Sequence, residues 1–133
     1  MKTPQFKQVS KRMAGIGDEE WSARVDLAAA YRLTYKMGWS DLISIHISHR
    51  VPGHPRQFLV NPHGEMFDEI SASSLIKTDM EGNILSESSY PINPAVLVIH
   101  AGILEARPDV NCVMHLHSQY GTAVSMQEHG LLP

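Results

Sequence analysis

The sequence predicts one α/β layered domain built on a mostly antiparallel or mixed sheet. Three observations lead there. Stretches of helical and of strand periodicity alternate irregularly, without the strand–helix–strand rhythm of a doubly wound fold. Hairpin signals interrupt them, as at Glu81-Gly82-Asn83, and strands joined by tight turns run antiparallel. Finally, 133 residues with 43% hydrophobic content suffice for one core and fit a soluble globular chain.

Residues 1–17 are polar, with glycines at 15 and 17, and read as a flexible lead-in. "DEEWSARVDLAAAYRLTYKMG" then carries the marks of a helix. Asp18 is the expected cap, Glu19 and Glu20 face the positive end of the helix dipole, and Gly38 stands just past the end. Its i+4 row, Trp21, Val25, Ala29, Leu33 and Met37, is wholly apolar and is expected to dock on the core. "DLISIHISHRV" alternates as a strand, with Ile43, Ile45 and Ile47 on one side and Ser44, His46 and Ser48 on a solvated polar face. Residues 57–60 form the next strand, ending in the turn Asn61-Pro62-His63-Gly64.

A short helical turn is expected over "SASSLI" and a hairpin in "KTDMEGNIL". "NPAVLVIHAGILEAR" reads as a second helix, capped by Asn93, with Pro94 at the first position and a stop at Arg107-Pro108. "VNCVMHLHSQY" reads as a buried strand, and "SQYGTAVSMQEHG" as a helix reaching Gly130. No repeat or low-complexity segment occurs.

A net charge of −3 with 11 scattered basic residues gives no electrostatic basis for binding nucleic acid or an anionic membrane. The basic start "MKTPQFKQVSKRM" has no apolar run behind it, so no signal peptide is expected. Cys112 is the single cysteine; it excludes an internal disulfide, suits a reducing cytoplasm, and is expected as inert core. Eight histidines are more than such a length usually carries, which directs attention to metal binding or proton transfer.

Two of them define the candidate site. With a side-chain period of two, His115 and His117 share one face with Val113, while Cys112, Met114 and Leu116 share the other. Two converging imidazoles can bind one metal ion, although zinc normally takes three or four protein ligands; the spacing equally fits two ordinary polar residues on a half-exposed face.

"FLVNPHG", "ISASSLIKTDMEGNIL", "IHAGILEARPDVNCVMHLHS" and the ending "GLLP" together resemble the N-terminal part of the class II aldolase/adducin family, across nearly all of residues 21–133. The most specific piece is Arg107-Pro108-Asp109 followed by His115 and His117. The resemblance implies an α/β/α sandwich around a central, largely antiparallel sheet, C-terminally truncated here, so that residues 18–133 form an incomplete domain. It implies zinc-dependent lyase or epimerase chemistry on sugar phosphates, or, in the branch of the cytoskeletal protein adducin, association without catalysis. His115 and His117 match the first two histidine ligands of the family's zinc site. Zinc or another divalent metal is therefore the implied cofactor, held weakly because the third histidine lies beyond this chain. Ser48, His63 and Gly64 fall in segments that surround the metal and are candidate substrate contacts. A sugar-type small molecule and a homo-oligomer are the implied partners, in the cytoplasm.

Two departures separate the chain from the characterised aldolases. Ile45 and His46 stand where they carry Gly-Asn for phosphate, although Ser48 and Arg50 match. Pro94, Ala95 and Val96 stand where they carry two serines and the catalytic glutamate, in the pattern of the adducin-like bacterial branch. No catalytic residue is assigned. His46 is expected on a solvated face, His100 as a packed, hydrogen-bonded structural residue, Glu105 as a solvated helix residue, and His129 outside the site.

Overall fold

The computed structural model describes Met13 and residues 15–131. Most of the expected lead-in over residues 1–17 lies outside these described residues.

Helix α1 (Asp18–Lys36) begins behind Gly17, which occupies the capping position without a side chain. Asp18 therefore stands inside the first turn with Glu19 and Glu20, acting on the dipole rather than as the cap. The helix closes as expected: Gly38 adopts φ 71° and its N–H donates to the Tyr35 carbonyl at 2.9 Å.

The buried face of α1 is not the predicted one. Ala23, Arg24, Leu27, Ala28, Tyr31 and Thr34 are buried, whereas Val25, Ala29, Leu33 and Met37 are exposed, Leu33 to 58%. Trp21 is half-buried. Hydropathy misleads here because the inner stripe contains polar residues that find most of their partners inside the fold. Arg24 pairs through Nε with Glu20 (2.9 Å) and donates from Nη1 to the Leu75 carbonyl at 2.7 Å, which offsets much of the cost of its burial, although its Nη2 is buried without a partner among the described residues.

Strands β1 (His46–Val51), β2 (His54–Val60), β3 (Ile76–Asp79) and β4 (Cys112–His115) form one antiparallel sheet in the order β3-β2-β1-β4. Strand β2 starts earlier than residues 57–60 because the Pro52-Gly53 turn, with Gly53 at φ 74°, joins it directly to β1 through a bulge between Arg50 and Val51. The hairpin after β3 is present. The Asp79 carboxylate accepts from the N–H groups of Glu81 (3.1 Å) and Asn83 (2.8 Å). "SASSLI" is a turn, closed by Ser74 N–H donating to the Ser71 carbonyl at 3.1 Å, and not a helical segment.

The Asn93 carboxamide accepts from Ala95 N–H at 3.0 Å, capping α2 (Pro94–Val96) as expected. The chain then widens into a π-helical turn (Leu97–Ala101) before resuming as α3 (Gly102–Ala106), so the predicted single helix carries an inserted wide turn. The last helix, α4 (Gln119–Ser125), is capped by Ser118 and stops short of Gly130.

Alternation along the strands sends side chains into two layers. On one side Ile45, Ile47, Val51 and Leu59 pack with Ala23, Leu27 and Tyr31 of α1 and with Phe67, Ile70 and Leu75. On the other, Phe58, Val60 and Ile76 pack with Val96, Ala101 and Leu104. The result is helix over sheet over helix, the α/β/α arrangement. Two expectations on this sheet are corrected. His46 and Ser48 are buried beneath the second helical layer and form no solvated face. Cys112 is exposed and Met114 is 49% exposed, since β4 is the edge strand of the sheet.

Candidate functional site

Antiparallel pairing of β1 with β4 sets His46 opposite His115. Their rings stack, with centroids 4.8 Å apart and planes 19° from parallel. Behind His46 a hydrogen-bonded string runs inward. His46 Nδ1 lies 2.7 Å from His100 Nε2, and His100 Nδ1 lies 2.7 Å from Ser48 Oγ. The π-helical turn carries His100 at the point where it meets β1, and such turns recur at functional sites. Burial pushes His100 down to about 4, with His46 and His115 adding to the shift. Burial, followed by the neighbouring His115, His117 and His63, does the same to His46, also to about 4. Both rings are therefore neutral at pH 7, each with one N–H and one bare nitrogen. The expectation of a packed, hydrogen-bonded His100 is met.

Strand β4 ends at His115. Leu116 packs against the α1-side cluster, and His117 emerges 38% exposed. The two imidazoles converge, Nε2 to Nε2, at 3.0 Å. On its other side His117 Nδ1 meets Asp41 Oδ2 at 2.7 Å. Asp41 belongs to the loop between α1 and β1, where Ser44 N–H donates to the Asp41 carbonyl at 3.0 Å and Leu42 adopts φ 46°. A left-handed leucine costs about 1–2 kcal/mol, so the surrounding contacts hold this loop in a strained form beside the histidine pair. Burial and the nearby His117 lower the His115 pKa.

Chemically, two Nε2 atoms at this separation suit one metal ion once both are deprotonated, since two ligands about 2.0 Å from a tetrahedral zinc stand about 3.3 Å apart. The carboxylate behind His117 repeats the arrangement by which proteins fix a ligand's tautomer. Among the described residues, no group of three or more His, Cys, Asp or Glu side chains is arranged to hold a metal. The site thus offers two donors of the three or four that zinc usually takes.

The other candidates are placed as follows. Ser48 is fully buried and bonded to His100. His63 is half-buried, its N–H donating to the Pro91 carbonyl at 3.0 Å, and it contributes to the depressed pKa of His46. Gly64 is exposed, at φ 110°, with open space where a Cβ would stand. Val96 lies wholly inside the second core cluster. Glu105 is exposed and pairs with Arg56 at 2.7 Å, and His129 is exposed beyond α4. Arg50 is occupied by backbone: its guanidinium donates to the carbonyls of Leu104 (2.8 Å), Val110 (2.9 Å) and Pro55. Asp41 and the burial of His46 were missed in the sequence. A lone loop aspartate has no motif, and alternation alone does not reveal that a second helical layer covers the polar face.

The family model for the class II aldolase and adducin N-terminal domain matches residues 25–133. The chain belongs to that family. An aldolase II superfamily protein from Pseudomonas syringae has a similar structure, with TM-score 0.85 and 48% identity over 90% of this chain and 48% of that one. L-fuculose 1-phosphate aldolase from Glaciozyma antarctica PI12 follows at TM-score 0.75 and 31% identity, over 93% of this chain and 48% of that one. Alpha-adducin of Rattus norvegicus is 43% identical over 112 residues, 83% of this chain and 15% of that protein. The chain spans about half the length of the first relatives it matches. These likenesses agree with the fold expected from the sequence. Among the described residues no helix is long and apolar enough to cross a membrane.

Proposed function

We propose that this chain holds a divalent metal, zinc or another ion that accepts imidazole, through His115 and His117, and that it is related to sugar-phosphate lyases without performing their proton transfer. The observation that carries the reading is the 3.0 Å approach of the two Nε2 atoms, with Asp41 bonded to the far side of His117. A metal bound there would supply positive charge for the oxygens of a sugar-type substrate. His63 and Gly64, in the turn after β2, are the proposed substrate contacts, with Ser48 acting from behind through His100. Val96 supports the negative half of the proposal: at the position that resemblance gives to the acid/base stands an apolar side chain built into the core, which can carry no proton.

The same buried Val96 favours a second reading, an adducin-like module that works by association, in keeping with the likeness to alpha-adducin. Titrating the 133-residue chain with zinc or cobalt in a calorimeter tests the metal half. The expected result is weak binding that disappears in His115→Ala and His117→Ala and on acidification below about pH 6, near the imidazole pKa. No cleavage of L-fuculose 1-phosphate is expected. Chelator-resistant stoichiometric zinc would overturn the weak-site reading, and measurable cleavage would overturn the second half. Absence of any binding by the wild-type chain would leave the associative module as the function.

A further inference from the structure

We infer that Asp41 is the positioning residue of the histidine pair, fixing the tautomer in which His117 presents a bare Nε2 to the metal. The inference rests on the metal reading above and adds to it a residue from a distant part of the chain. Asp41 lies 76 positions before His117, in a loop that no motif in the sequence singles out. A carboxylate only accepts, so the 2.7 Å contact requires the proton of neutral His117 on Nδ1. Its Nε2 is then a lone pair, and the 3.0 Å contact with His115 Nε2 requires His115 to donate from that atom. The metal-free chain therefore holds the two neighbouring histidines in opposite tautomers. Binding a metal requires His115 alone to move its proton to Nδ1; His117 is already prepared. The loop is committed to this task by its shape, since the left-handed Leu42 immediately follows Asp41.

The first test needs no metal. Nitrogen-15 spectra of histidine-labelled chain at pH 8 are expected to show His117 protonated at Nδ1 and His115 at Nε2, and Asp41→Ala is expected to release His117 into a mixture of tautomers. Asp41→Glu, which retains a carboxylate, is expected to restore the Nδ1–H form. The second test titrates cobalt(II) into the wild-type chain and both variants. Asp41→Ala is expected to weaken binding about 10–100-fold, with partial recovery in Asp41→Glu. The urea midpoint should change little, because the pair is exposed, 38% at His117 and 51% at Asp41. Wild-type His117 protonated at Nε2, or equal cobalt affinity in wild type and Asp41→Ala, would overturn the inference. A wild-type chain that shows the opposite tautomers but binds no cobalt would refute the metal reading while leaving the positioning by Asp41 in place.

Discussion

The hydroxyl of Tyr31 joins α1 to two strand ends at once. It accepts from the N–H groups of Ile47 and Asn61, both at 3.0 Å, and lies within donating reach of the Ile47 carbonyl and of Asn61 Oδ1 (2.9 Å). It thereby fills the gap where β1 and β2 diverge into the Asn61-Pro62 turn. Complete burial raises its pKa, so it is a neutral donor at physiological pH. Tyr31→Phe keeps the ring, and its edge contact with Phe67 at 4.5 Å, but orphans buried N–H groups. The expected loss is about 1–3 kcal/mol, measured by urea unfolding. His100 makes a second prediction at this scale. Its folded pKa lies below that of the unfolded chain, so the unfolded state binds the proton first as pH falls. Its contribution is intact above about pH 6.5 and is lost between there and about 4, at a slope of about 1.4 kcal/mol per pH unit. His100→Gln should flatten that part of the stability profile; an unchanged slope would show that another group sets it.

Helix α1 shows how far patterning carries and where it stops. Its limits were readable from three acidic residues and Gly38, because caps and dipoles are local. Its orientation was not, because burial is decided by what the facing layer can satisfy. Arg24 and Tyr31 look like surface residues until the carbonyl of Leu75 and the backbone of Ile47 are in place. Leu33→Ala is therefore expected to change stability by no more than about 0.5 kcal/mol, whereas Leu27→Ala, in the buried stripe, should cost about 2–5 kcal/mol. Thermal or urea unfolding of the two variants distinguishes the faces directly, and a larger cost at Leu33 would reverse the assignment. The histidine strand was legible as a pair for the same local reason that caps are: period two needs no partner. Asp41 and His46 were not, because both depend on partners 54 or more positions away, His117 for the first and His100 for the second.

At the scale of the whole molecule, the resemblance supplied the layering that periodicity left open, and the two core clusters on opposite faces of the sheet realise it. Arg50 ties the sheet to the second helical layer at one corner, reaching from β1 to the end of α3 and to the approach to β4. Arg50→Lys keeps the charge but loses the planar fork, and is expected to cost about 1.5–3 kcal/mol in urea unfolding. A cost near zero would show that the carbonyls find water instead. Among the described residues the partners of Arg50 are peptide oxygens: none can be neutralised by acid, and their dipoles are masked far less by salt than a counter-charge would be. This corner therefore keeps its grip through the pH range in which the histidines let go. Its natural adversary is a competitor for carbonyl oxygen, and guanidinium chloride dissolves the protein in free copies of the very headgroup that holds it shut.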